Sequence, residues 1–104
     1  MEIVQLLHNT HADADGQAKP IGDFRLINGP IAFLIYGPNI NATINIQGTI
    51  ATQDEVNDGT ANWVTVEGGS FTEEKATALF VQFTHMRAQV DSYSAGTISV
   101  RMLL

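Results

Sequence analysis

Histidine and aspartate gather in one stretch of this sequence, His8-Asn9-Thr10-His11-Ala12-Asp13-Ala14-Asp15-Gly16, and a divalent metal could use those residue types. Asp13, Asp15 and Gly16 also imitate positions 3, 5 and 6 of a calcium-binding loop. The imitation stops there. Position 1 would be His11 and position 12 would be Gly22, where such a loop needs an aspartate and a bidentate glutamate. His8 and His11 would share a face only on a helix, which the flanking residues do not support. The stretch reads as a solvated acidic loop. A second cluster, Asp54-Glu55-Val56-Asn57-Asp58-Gly59, carries the oxygen ligands that calcium prefers. Segments of that composition are more often turns whose side chains bond their own backbone.

Nucleophilic chemistry finds little to use. Ser70, Ser92, Ser94 and Ser99 lie in turns or strands, and none sits in a Gly-x-Ser-x-Gly elbow. His85 reads as a strand-surface residue, not a general base. Glu73 and Glu74 are adjacent, so they do not face each other across a substrate. Gly68-Gly69 is followed neither by Gly-Lys-Ser nor by a long helix, so no phosphate loop forms there. There are no cysteines, which removes thiolate metal sites, cysteine nucleophiles and disulfides together. The expectation is a protein that is not an enzyme, with no catalytic, cofactor-binding or metal-ligating residue and no cofactor. Trp63 and Tyr93 could form an aromatic platform for a sugar or a base. The preferred reading has Trp63 filling the core, as a lone tryptophan in a small β domain often does.

At 104 residues the chain is expected to form a single domain spanning 1–104. Only 15% of its residues are charged, below the usual quarter or so, and Asn, Gln, Thr, Ser and Gly take their place. Such a surface is cheap to dehydrate and suits packing against other proteins. The net charge is -6, and Lys19, Arg25, Lys75, Arg87 and Arg101 are scattered along the chain. No basic stripe is present, which argues against nucleic acid as a partner. Residues 1–8 lack the positive region and the unbroken apolar stretch of a signal peptide. No apolar run is long enough to span a bilayer. The expectation is a soluble protein made in a cytoplasm, without a membrane partner.

Short apolar or alternating runs separated by Gly, Pro, Asn and Asp predict strands and turns along most of the chain. Residues 2–8 read as a first strand, and residues 9–19 as a loop or arm. Residues 20–27 form the next strand, with Ile21 and Phe24 as core residues. Residues 31–36 are apolar throughout, which implies burial on both faces. The second face is covered either by the protein's own chain or by another subunit. Residues 41–52 alternate cleanly, with Ile44, Ile46, Gly48 and Ile50 on one side and Thr43, Asn45, Gln47 and Thr49 on the other. Residues 62–67 follow, anchored by Trp63. Ser70 and Glu73 have the spacing of a capping box, so a helical turn is expected after Ser70. Leu79, Val81 and Phe83 alternate, as do Met86, Ala88 and Val90. A hairpin connection at residues 93–96 then leads into a last strand with Ile98, Val100 and Met102 in register. The sum is an all-β fold, an antiparallel β-sandwich of jelly-roll type with about eight strands.

Several of these segments look familiar. Gly48-Thr49-Ile50, Asp58-Gly59 and Trp63-Val64-Thr65-Val66 precede Phe83-Thr84-His85-Met86-Arg87-Ala88-Gln89-Val90 and Ser92-Tyr93-Ser94-Ala95-Gly96-Thr97-Ile98-Ser99-Val100. Over residues 42–104 this resembles small β-sandwich virion proteins of tailed bacteriophages, most of all capsid decoration (cement) proteins. The segment at 51–61 is longer than that pattern's turn, and residues 1–40 match none of it. The resemblance implies a structural virion protein that binds the major capsid protein on the outer capsid surface as a homo-oligomer, trimer or dimer. It extends to neck, tail and fibre components. A carbohydrate-binding β-sandwich module is the alternative. The candidate assembly contacts are Glu2, Val4 and Leu6 of the first strand and Ile31, Phe33, Ile35 and Tyr36 of the apolar strand.

Overall fold

The computed structural model describes residues 2–21 and 30–104. Among them are nine strands and one short helix: β1 (Ile3–Thr10), β2 (Ala14–Asp15), β3 (Lys19–Pro20), β4 (Ile31–Tyr36), β5 (Asn41–Thr49), α1 (Gln53–Asp58), β6 (Val64–Phe71), β7 (Lys75–Leu79), β8 (His85–Ala95) and β9 (Ile98–Leu103). Two antiparallel sheets result. One has the order β1-β9-β4-β7; the other runs β2-β8-β5-β6, with β3 also on β8. The inner faces meet in one apolar cluster: Ile31, Phe33, Ile35, Val100 and Met102 from the first sheet pack with Ile44, Ile46, Met86, Ala88 and Val90 from the second. The protein is an all-β sandwich, as the alternation of its strands predicts.

Strand parity follows the sequence over most of β5, β8 and β9, although Gln47 and Thr49 are buried on the polar side of β5. Ala42, Ile44 and Ile46 of β5 are buried, as are Met86, Ala88 and Val90 of β8 and Ile98, Val100 and Met102 of β9. Ile50 departs from expectation. β5 ends at Thr49, which leaves Ile50 exposed. β1 departs as well, because Leu6 and Leu7 are both buried. Its pairing with β9 shifts register between Gln5 and Leu7, a bulge that turns two consecutive side chains inward. Gln5 Nε2 donates to the Leu7 carbonyl across the bulge and to the Val100 carbonyl at 3.3 Å.

Three local expectations are corrected. Residues 54–59 are not a turn: Gln53–Asp58 is helical, started by a reciprocal capping box in which the Thr52 hydroxyl accepts from the Glu55 amide at 3.2 Å and the Glu55 carboxylate accepts from the Thr52 amide at 3.0 Å. The same spacing at Ser70 and Glu73 starts no helix, because β6 continues to Phe71 and pairs there with Ile44. A capping box supplies two hydrogen bonds, whereas a strand edge beside β5 supplies a ladder. The connection at residues 93–96 is not a hairpin. β8 pairs with β5, β2 and β3, whereas β9 inserts between β1 and β4, so the chain crosses there from one sheet to the other.

That crossing interlocks with a second one, from β4 to β5. The Thr97 amide donates to the Pro38 carbonyl at 3.3 Å, and the Tyr93 hydroxyl donates to the Gly96 carbonyl at 2.7 Å. Glu74 adds a carboxylate oxygen 3.1 Å from the Gly37 amide.

Residues 9–19 are no free arm either. Asn9 and Thr10 complete β1, and from Ala14 onwards the segment lies along β8, with Ala14 opposite Val90 and Lys19 opposite Met86. The Gly16 amide donates to the Ala88 carbonyl at 2.7 Å. A Cβ at Gly16 would stand 2.6 Å from that carbonyl oxygen and 2.8 Å from the carbonyl of Leu6, so only glycine lets the segment approach so closely. This strap covers the edge of β8 that would otherwise stand open to other chains. Ile21 is buried as expected; Phe24 and the rest of the expected strand at 22–27 lie outside the described residues.

Candidate functional site

The two outer faces of the sandwich carry side-chain arrangements of different chemistry. On the outer face of the four-stranded sheet, strand register builds two rows. Ile3, Leu103, Ala32 and Ala78 form one; Gln5, Arg101, Leu34 and Ala76 form the next. Ile3 is 66% exposed, Leu34 41% and Leu103 38%. They border a shallow depression of about 360 Å³ whose floor includes Phe33 and Met102. Beside the apolar centre, Arg101 donates to Gln5 at 3.1 Å and lies 5.2 Å from the Tyr36 ring centroid. The Gln5 side chain, with Ser99 and Arg101, holds the Tyr36 hydroxyl below its ordinary pKa, against the opposite effect of partial burial. An apolar centre beside a polar border is the anatomy of a protein-binding surface.

The candidate contacts divide across this sheet. Leu6, Ile31, Phe33 and Ile35 point into the core and are buried, so their side chains are spent on the sandwich itself. Glu2 is exposed, and Val4 and Tyr36 are half-buried, with Val4 packed against the core. The outward positions of the same two strands are Ile3, Gln5, Ala32 and Leu34. The apolar strand 31–36 is therefore central but covered on one face only among the described residues, and its outer side chains remain accessible.

The outer face of the five-stranded sheet is polar. Gln89 Oε1 accepts from Asn45 at 3.1 Å and from Gln47 at 3.3 Å. Gln89 in turn donates to Asp15 at 3.1 Å, and Ser70 donates to Asn45 at 2.9 Å. Arg87 Nε donates to Gln47 Oε1 at 2.8 Å, its Nη2 lies 3.8 Å from Asp15, and its guanidinium sits 4.5 Å from the Trp63 ring centroid. Asp15, on the adjacent strand β2, is thus the carboxylate beside Arg87. Trp63 is not in the core. It stands half-buried on the outer side, ahead of β6, because Arg87 projects outward between the inward Met86 and Ala88 and offers the indole a cationic partner.

The residues that suggested metal chemistry serve this strap and its neighbours. Asp13 accepts the Tyr93 amide at 2.8 Å, while Asp15 holds Gln89 and Arg87. His11 Nδ1 lies 3.1 Å from the Asn9 carbonyl, and His8 Nε2 lies 3.3 Å from Asn9 Nδ2. Among the described residues no three of His, Asp or Glu come together in a way that could hold a metal ion. His85 is buried, not on the strand surface: its ring nitrogens lie 3.0 Å from Thr84 Oγ1 and 3.0 Å from Gln53 Oε1, which fastens α1 to the end of β8. Ser99 is buried too and accepts the Asn9 amide at 3.0 Å. Alanine at Asp13 is expected to loosen the strap without unfolding the sandwich. Hydrogen exchange at the Tyr93 amide should accelerate about tenfold while the global melting point falls by only a few degrees.

Among the described residues no helix is long and apolar enough to cross a membrane. Comparison with protein-family models, with curated proteins and with solved structures finds no match.

Proposed function

We propose that this chain is a structural assembly protein that docks through the outer face of its four-stranded sheet, and that its partner is the major capsid protein of a tailed bacteriophage, which it decorates. The observation that carries the reading is the accessible apolar centre formed by Ile3, Ala32, Leu34 and Leu103, bordered by Gln5, Arg101 and Tyr36. A contiguous exposed apolar patch rimmed by polar residues marks a surface for a partner. The choice of a capsid as partner rests on the resemblance of residues 42–104 to decoration proteins. Binding to the assembled shell and not to its free subunits would stabilise the head by mass action. In this reading the chain acts on the outer capsid surface as a dimer or trimer, with no catalytic step.

The test is co-sedimentation with capsids stripped of accessory proteins, alongside light scattering of the free chain. Wild-type protein is expected to pellet with the capsids. A Leu34→Lys/Leu103→Lys variant should keep its circular dichroism spectrum and melting point yet bind at least about tenfold more weakly. A wild-type chain that neither self-associates nor pellets would refute the proposal, as would a double variant that binds as well as the parent. Labelling of intact particles separates a decoration protein from a neck, tail or fibre component, since these would share the docking face and differ in its address.

A further inference from the structure

We infer that the trough beside Trp63, on the side of the sandwich away from the proposed docking face, is a binding site for a neutral saccharide of one or two rings. The trough has a volume of about 560 Å³ and lies between the strap, α1 and the approach to β6. That volume suits a small ligand. Its walls carry Gln17 from the strap and Gln53 and Asn57 from α1, and Trp63 and Arg87 also line it. Amide side chains both donate and accept hydrogen bonds, which is what the hydroxyls of a sugar need. An indole beside them offers an apolar surface for a ring's C–H groups, with a polar edge of its own.

Part of this lining is already committed and part is not. Gln53 is held by Asn57 and His85, at 3.0 Å each, and so is fixed in orientation. Arg87 is fixed as well, by Gln47, Asp15 and the indole. By contrast, the amide nitrogens of Asn57 and Gln17 donate to no group among the described residues, although the carbonyl oxygen of each accepts a hydrogen bond. The arrangement is a rigid floor with unused donors at its rim, which limits the ordering cost of binding. Charge selects the ligand class. Arg87 is the one charged residue of the lining among the described residues, and Asp15, 3.8 Å away, offsets it, so the trough has no cationic surplus to attract phosphates or other polyanions. A neutral polyhydroxylated ligand fits what remains.

Trp63 is the only tryptophan in the chain, so its emission reports on the trough directly. The probes are glucose, galactose, N-acetylglucosamine, maltose, lactose and chitobiose, titrated into the intact protein. At least one is expected to change the emission saturably, with half-saturation at about 0.1–10 mM. Binding should weaken at least about tenfold in Asn57→Ala and in Gln17→Ala, two exposed positions whose replacement leaves the fold intact. Leu34→Lys should bind the sugar as the parent does, which separates this site from the docking face. No saturable response to any of the six sugars overturns the inference. So does a response whose affinity is unchanged in both Asn57→Ala and Gln17→Ala.

Discussion

Gly37→Ala is expected to lower the melting point by about 15 °C or more, equivalent to roughly 3 kcal/mol for a domain of this size. Gly37 has a φ of 144°, and a Cβ placed on it would lie 1.7 Å from the Thr97 carbonyl oxygen. The obstacle is backbone, not a side chain that could swing away. Relief requires the crossing from β4 to β5 to separate from the crossing from β8 to β9, and the Thr97–Pro38 hydrogen bond breaks as they part. Gly96 faces the same corner from the other side, where a Cβ would stand 2.5 Å from the Asn39 carbonyl oxygen. A control isolates steric cost from backbone strain. Gly59 also has a positive φ, 74°, but nothing lies within 4 Å of its Cβ position. Gly59→Ala should therefore cost only about 1 kcal/mol. Thermal melts followed by circular dichroism give both values, and equal losses at the two sites would mean that the corner is not rigid.

The second large effect separates two neighbours on one strand. Ile35→Ala is expected to destabilise the protein by about 2–4 kcal/mol in urea titrations. Ile35 is 0% exposed, and its removal leaves a cavity at the meeting of the two sheets. Leu34, 41% exposed on the outer face, should tolerate alanine to within about 0.5 kcal/mol. The functional consequence runs the other way. Leu34→Ala should weaken docking, whereas Ile35→Ala affects docking only as far as it unfolds the chain. If Leu34→Ala proves as destabilising as Ile35→Ala, the outer face is packed against something in the free protein. The docking surface would then have to be sought elsewhere.

Adjacent leucine and isoleucine illustrate how far local pattern carries. The alternation of Ile44 and Ile46 with Asn45 and Gln47 specifies both the strand and its inward face, because each polar position marks the outer side. Residues 31–36 offer no polar position, so their sequence specifies a strand and leaves its parity open. The candidate contacts Ile31, Phe33 and Ile35 fell on the parity that the sandwich needed for its own core. In β1 a bulge displaced the alternation by one residue at Leu6 and Leu7, a shift set by pairing with β9 and not by β1 itself. The helix at Gln53–Asp58 was legible in Thr52 and Glu55, which have the same capping-box spacing as Ser70 and Glu73. What distinguished the two was whether a partner strand lay alongside.

The sites divide in the same way. That His8, His11, Asp13 and Asp15 fail the calcium template was readable from residue order. Their actual task was not, since the partners of Asp13 and Asp15 are Tyr93, Gln89 and Arg87, more than seventy positions away in sequence. Trp63 has the residue type of a core anchor, yet it lies outside, where Arg87 from β8 meets it. The all-β class, the inward faces of β5, β8 and β9 and a surface low in charge all follow from the residues alone. Packing of the two sheets set which side of the apolar strand remained open and where the tryptophan stood. The reason is physical: alternation is a property of one strand, whereas an outer face is made by the side chains of several strands brought into register.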